Sequence, residues 1–365
     1  MPFFDSPSRM HAPRRMRAAR RPSLLLMAGL CALAACATPE GAPNRRLLVL
    51  AKSGAEMLVI DPDRRAEVAR VPVGDGPHEV AVSPDGRTAV VCNYGGQQPG
   101  STLTVVDIEA ATATCTIELQ GEDLVGGVAK QRTWLRPHGI RFLPDGARVA
   151  VTSESTRRLL LVDVAARKVE RALPTPQQLM HMVELSRDGS IAFGASIPDG
   201  TVAAIPLDGA TPKVVTSGDG AEGIAISGDG NTVWVANRAA DEVVVFDART
   251  LARTMTIETA AFPIRVAITP DGSRALVSCA EAGCVQVFDT TTRALVATID
   301  LLGDKTELSP LPIGICIEPD GKRAWIACQR GEFLALVDLA THVVVDRIPG
   351  GSGPDGMAFA QWRAK

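Results

Sequence analysis

Three of the five histidines in this 365-residue chain, His78, His138 and His181, occupy one place in three copies of a short pattern. The copies read PHEVAVSPDG (77–86), PHGIRFLPDG (137–146) and MHMVELSRDG (180–189), with the histidine seven residues before the aspartate of the closing Asp-Gly. The same offset in AEGIAISGDG (221–230), PIRVAITPDG (263–272) and PIGICIEPDG (312–321) gives Glu222, Ile264 and Ile313. The last copy, PDGMAFAQ (354–361), gives Asp355 by its Gly-Pro-x-Gly match. In copy order Asp355, His78, His138, His181 and Glu222 form an unbroken polar arc. Neutral imidazoles are good donors to zinc, copper, nickel or iron, and carboxylates complete mixed nitrogen–oxygen shells. The three histidines are therefore candidate ligands of a divalent metal cofactor, and the five arc residues a candidate ligand-binding set. A plainer reading stands beside it: repeats inherit equal residues at equal places, and a histidine can simply hydrogen-bond a neighbouring backbone.

What must position these residues is a repeated hairpin. Asp-Gly is the pair favoured in two-residue turns with both central residues at positive φ. A second strand follows each turn (TAVVCN, RVAVTS, IAFGAS, TVWVAN, RALVSC, RAWIAC), then a third ending in Asp (LTVVD, LLLVD, VVVFD, VQVFD, LALVD), then a fourth. Four short strands every 41 to 43 residues in the regular copies is the period of a propeller blade, and no amphipathic helical pattern interrupts it. The chain enters this pattern with RLLVLA (46–51), EMLVID (56–61) and EVARVPV (67–73), matching strands two to four, and leaves it on an unaccompanied first strand. Joining the two removes two sheet edges and completes a seventh blade. The expected fold is all-β: a seven-bladed β-propeller of four-stranded antiparallel blades over 46–365, closed by three N-terminal strands plus one C-terminal strand. The arc residues then begin the innermost strands, at one mouth of the central channel.

VVCN (90–93) and WVAN (234–237), each after an Asp-Gly turn and before a Val-rich strand ending in Asp, resemble the YVTN family of β-propellers. LVSC and WIAC depart from that family's Asn. Related propellers include surface proteins, cofactor-binding domains and lactonases, so the resemblance implies a fold and leaves the activity open. It implies two readings. The first is a non-enzymatic binding module taking a small ligand, a metal ion or a protein partner at the channel mouth; a pure protein-interaction platform is its simplest form. The second is a lactonase or cycloisomerase, in which His138 or His181 acts as general base or acid while Arg265 or Arg136 steadies oxyanion charge. The long connections 94–101, 120–137 and 301–312 fall on the arc's face, where Glu79, Arg136 and Arg265 add charge. The aspartates ending the third strands (Asp107, Asp163, Asp247, Asp289 and Asp338) read as turn formers rather than acids or bases.

Residues 1–35 read as an export signal: Arg14, Arg15, Arg17, Arg20 and Arg21 precede the short apolar run LLLMAGLCALAA (24–35). Sec and twin-arginine export both fit. The run ends in Leu-Ala-Ala-Cys, which resembles a bacterial lipobox with Cys36 as the lipidated residue, followed by a Pro/Gly-rich tether over 36–45. The expectation is a monomeric lipoprotein on the periplasmic face of a membrane of the cell envelope, the outer one favoured, touching it only through the anchor. Removing six Arg and one Asp with residues 1–35 takes the formal charge from −3 to −8, which excludes a basic nucleic-acid face. Six cysteines remain past Cys36, with no metal-type Cys-x-x-Cys pair among them. Cys279 and Cys284, flanking AEAG, are expected to face each other across a hairpin, whereas Cys92 and Cys115 lie two strands apart.

Overall fold

The computed structural model describes residues 43–303 and 308–363. Cys36, the signal and most of the tether lie outside the described residues, as do 304–307 of the 301–312 connection. The chain forms seven four-stranded antiparallel sheets arranged as the blades of a propeller. Blade one is Pro77–Val82, Thr88–Asn93, Thr102–Asp107 and Thr112–Glu118, from the axis outward. Blades two to six begin their inner strands at Pro137–Phe142, Val183–Leu185, Ala221–Ile226, Pro263–Ile268 and Pro312–Ile317. Blade seven joins the two ends of the fold: Pro354–Trp362 is its inner strand and pairs with Asn44–Ala51, with Glu56–Asp61 and Ala66–Pro72 outside. The register runs from Asn44 opposite Trp362 to Ala51 opposite Pro354. The three-plus-one closure expected from the sequence is the observed one.

The middle strands are continuous apolar runs because each is covered on both faces by neighbouring blades, while outer strands such as Val343–Pro349 alternate exposed and half-buried residues. The core is accordingly divided among the blade interfaces. Between blades seven and one, for example, Leu48, Met57, Val80, Val91 and Trp362 pack together.

Two local readings change. The Asp-Gly connections are not two-residue turns. Ser83 to Gly86 form a turn closed by the Gly86 N–H on the Ser83 carbonyl, and only the glycine takes positive φ (74°). Asp85 instead accepts from Ser83 Oγ (2.5 Å) and from the Arg87 N–H (3.1 Å), and Pro84 pre-sets the turn's first corner. Residues 120–133, expected as a loop, form a hairpin, Gln120–Val125 with Val128–Thr133, turning at Gly126-Gly127 with φ of 60° and 81°. Here the two-residue turn does occur, on a Gly-Gly pair. The third-strand aspartates behave as read: Asp107 accepts the Ala110 N–H at 2.9 Å and Asp338 the Thr341 N–H at 2.8 Å.

Candidate functional site at the channel mouth

A bulge in the inner strands delivers the arc. In blade one Pro77 pairs with Asn93 and Val80 with Val91, so His78 and Glu79 together oppose a single residue. A bulge lets two successive side chains escape the strict alternation of a strand. Blades two, four and six repeat it at Pro137/Ile140, Ala221/Ile224 and Pro312/Ile315. Close approach accompanies it: a Cβ on Gly356 would lie 2.3 Å from the His78 carbonyl oxygen, and one on Gly314 2.2 Å from that of Asp355.

The three histidines converge. His138 is fully buried between the other two rings, 4.1 Å from the His78 centroid and 3.8 Å from that of His181. Neither His138 nitrogen has a hydrogen-bond partner among the described residues. His181 Nδ1 meets Glu154 Oε1 at 2.5 Å, and its Nε2 lies 3.4 Å from Glu222 Oε1. His78 Nε2 is 2.6 Å from Lys52 Nζ, and its Nδ1 3.3 Å from Asp355 Oδ2. All five arc residues thus share one cluster. Arg265, on blade five, bonds Glu79 of blade one at 2.5 Å and places its other nitrogen 3.6 Å from Glu222. These blades are not neighbours in the ring, so the Glu79–Arg265 pair crosses the channel. On its far side a cavity of ≈ 240 Å³ is lined by Arg141, Glu184, Ile226 and Ile268 among others. Arg136, expected to add charge to the arc, stacks instead on the Tyr94 ring, 4.6 Å from its centroid.

The sequence reading passed over a second ring. In blades seven, one, two and four the residue immediately after the second strand also faces the mouth: Lys52, Tyr94, Glu154 and Arg238 supply the partners just described. The Tyr94 hydroxyl donates to Glu154 Oε2 at 2.7 Å and Arg238 bonds Glu222 Oε2 at 2.6 Å. The alignment that found the histidines reaches this position one residue past VCN, VTS and VAN. Its signal was hidden because the residue type changes from blade to blade. Across the mouth, Ile264, Ile313 and Ala280, with Phe262 and Leu311, form an apolar wall. Phe262 and Leu311 hold positive φ (62° and 53°) where blades one, four and seven use Gly76, Gly220 and Gly353. Large side chains in a left-handed backbone carry strain, which singles these positions out at the rim.

Burial fixes the protonation pattern. It drives the His78 and His138 imidazoles well below the usual histidine range, helped at His78 by Lys52 and at His138 by the charge of His181. Burial also opposes the charged form of His181, but hydrogen bonds to Glu154 and Glu222 outweigh it and raise this histidine to about 9. Glu222, despite burial, is held at about 2 by His181 and the two arginines. Asp355 is pushed up to about 6 by desolvation. At neutral pH the arc therefore offers two neutral imidazoles beside one imidazolium.

The departure from Asn in blade five also finds an account. In blade one Asn93 Oδ1 accepts the Gly74 N–H (3.1 Å), latching the incoming connection. In blade five, with Cys279 in that place, Gln286 of the third strand accepts the Ala260 N–H at 2.8 Å. Cys279 and Cys284 are direct register partners, as expected, and both are free thiols.

A family model described as "Lactonase, 7-bladed beta-propeller" matches residues 200–300. Among curated protein sequences none matches the chain. Solved structures similar to it include Kuenenia stuttgartiensis hydrazine synthase, with 18% identity over 81% of this chain and 92% of that one at a TM-score of 0.64. A functionally unknown protein from Desulfotomaculum acetoxidans gives 16%, 86%, 98% and 0.69 in the same terms. Dihydro-heme d1 dehydrogenase NirN in complex with DHE gives 18%, 83%, 63% and 0.57. At these identities the likeness is one of fold. The chain is a seven-bladed β-propeller.

Proposed function

We propose that the chain is a non-enzymatic binding module of the cell envelope, exported and held to a membrane through lipidated Cys36, whose channel mouth takes a small ligand. The observation that carries the binding reading is His138: a fully buried imidazole with neither nitrogen partnered among the described residues, central to a polar arc drawn from five consecutive blades. A buried polar group without a partner costs about 1–3 kcal/mol, and a bound ligand is the direct way to recover it. The apolar wall opposite would receive a ligand's non-polar part. The export part rests on the sequence of residues 1–36, and Cys36→Ser is expected to move the protein from the membrane to the soluble fraction.

The binding reading is tested by thermal-shift measurements on purified, untagged protein against a panel of organic acids, lactones and sugar phosphates. A ligand of this site stabilises the wild type, by about 2.7 kcal/mol at a hundredfold excess over Kd, and loses that effect in His138→Ala. Compounds that stabilise both proteins equally count against the mouth as the site.

A lactonase is the second reading. The family match spans Glu222, Arg238 and Arg265, and an imidazole able to carry a proton stands in one pocket with cations able to stabilise an oxyanion. Acid release from γ- and δ-lactones in a pH-stat, lost in His138→Ala and His181→Ala, would replace the binding reading with this one.

A further inference from the structure

We infer that His138, Glu154 and His181 form a site for one divalent transition-metal ion, with Glu222 and Tyr94 orienting the ligands and a coordination position left for an exogenous group. This deepens the binding reading and rests on the channel mouth being the ligand site. Each of the three residues offers a ligand atom, all within 4.8 Å of one another, and all three side chains are at the buried centre of the arc. His138 brings two nitrogens that no group among the described residues uses.

The second line of support is the surrounding shell. Metal-bound histidines characteristically turn their other nitrogen to a carboxylate, and ligating carboxylates are themselves hydrogen-bonded. His181 does the first through Nε2, 3.4 Å from Glu222 Oε1, while Nδ1, which now shares a proton with Glu154, is the nitrogen an ion would take in place of that proton. Glu154 does the second, its remaining oxygen accepting the Tyr94 hydroxyl. Glu222 is held in turn by Arg238.

An alternative trio, His78, Glu79 and His138, also brings ligand atoms within 4.8 Å. It is the poorer host. His78 Nε2 already faces the Lys52 ammonium and Glu79 is bonded to Arg265, so an ion there would meet two fixed cations. The favoured trio thus replaces His78, one of the three histidines expected to ligate, with Glu154. Around it Arg265 is matched by Glu79 and Arg238 by Glu222, so the Glu154 carboxylate, paired only with the ligand histidine His181, is the one to compensate the ion. Two imidazoles and one carboxylate suit zinc, iron(II) or cobalt(II) rather than the all-oxygen shells of calcium and magnesium, and three protein ligands leave room for another.

Cobalt(II) titration of chelator-stripped, untagged protein tests this. One equivalent should bind with visible d–d absorption and be displaced by zinc(II). Glu154→Gln and His138→Gln should abolish the absorption, and Glu222→Gln should weaken binding by roughly 10- to 100-fold. His78→Gln, which removes no ligand of this trio, should keep the cobalt absorption. X-ray absorption on the cobalt-loaded wild type needs no variant and should read two imidazoles. No cobalt or zinc binding, wild-type affinity in Glu154→Gln, loss of binding in His78→Gln, or three imidazoles would each overturn the site. If no metal binds but an organic compound still stabilises the wild type and not His138→Ala, the metal falls and the binding reading stands.

Discussion

Replacing Trp362 by Ala should destabilise the whole ring, although the residue lies at the edge of the described fold. Its side chain is 5% exposed and packs with Leu48, Met57, Val80 and Val91 between blades seven and one, while its backbone pairs with Asn44. Truncating a buried tryptophan costs about 3–5 kcal/mol. Trp362 Nε1 has no hydrogen-bond partner among the described residues, so removing it relieves one uncompensated polar atom and favours the lower half of that range. Unfolding entropy near 2.1 cal/mol/K per residue over roughly 320 residues gives about 0.7 kcal/mol/K, so the midpoint should fall by about 4–6 °C. Phe246→Ala is the control: it is equally buried, in the mid-chain interface of blades three and four, and should cost a similar amount. Both are read by calorimetry or circular dichroism. If Phe246→Ala melts early and Trp362→Ala melts with the wild type, the last strand does not close the ring.

Three further outcomes are expected. The turn carboxylates Asp85, Asp188, Asp229 and Asp271 are held below the ordinary range chiefly by hydroxyls of Ser83, Ser186, Ser227 and Thr269, with Asp188 and Asp271 at about 2. A depressed folded pKa stabilises above the unfolded value and is lost as pH falls through the folded one. The urea midpoint should therefore drop between about pH 4 and pH 2, less steeply in the fourfold Asp→Asn variant; parallel curves would refute this. Gly314→Ala and Gly356→Ala should each cost about 1–3 kcal/mol by pressing a Cβ onto the next blade's backbone, whereas Gly228→Ala, whose Cβ would meet nothing nearer than 3.7 Å, should be close to neutral. Under a mild oxidant, Cys279 and Cys284 should join while Cys92 and Cys115 stay apart; a Cys92–Cys115 peptide would contradict the strand order.

How much was legible follows from which interactions are periodic. The Asp-Gly turn pins the inner strand at a fixed distance, so the shared register of His78, His138, His181 and Glu222 could be read directly. Tyr94 and Glu154 occupy an equally fixed position, but a register whose residues change from Lys to Tyr to Glu does not announce itself. The crossing of Glu79 to Arg265 depends on the bulge and on the diameter of the ring, neither of which is written in local spacing. The turn was misread because Asp-Gly was credited with a two-residue connection. In this chain the flanking Ser or Thr and the carboxylate build a longer one, and the Gly-Gly of the 120–133 hairpin is the pair that makes the short turn.

The Glu79–Arg265 bridge bears on traffic through the molecule. A propeller's central hole invites comparison with a pore, yet here a buried ion pair joins opposite walls one residue below the histidines. Glu79 and Arg265 also line the ≈ 240 Å³ cavity, so the histidine cluster and that cavity have one ion pair in common. A substitution that removed one of the two charges would leave the other buried and unpaired, at a cost of about 3–5 kcal/mol. The axis of this ring is braced from wall to wall at that level.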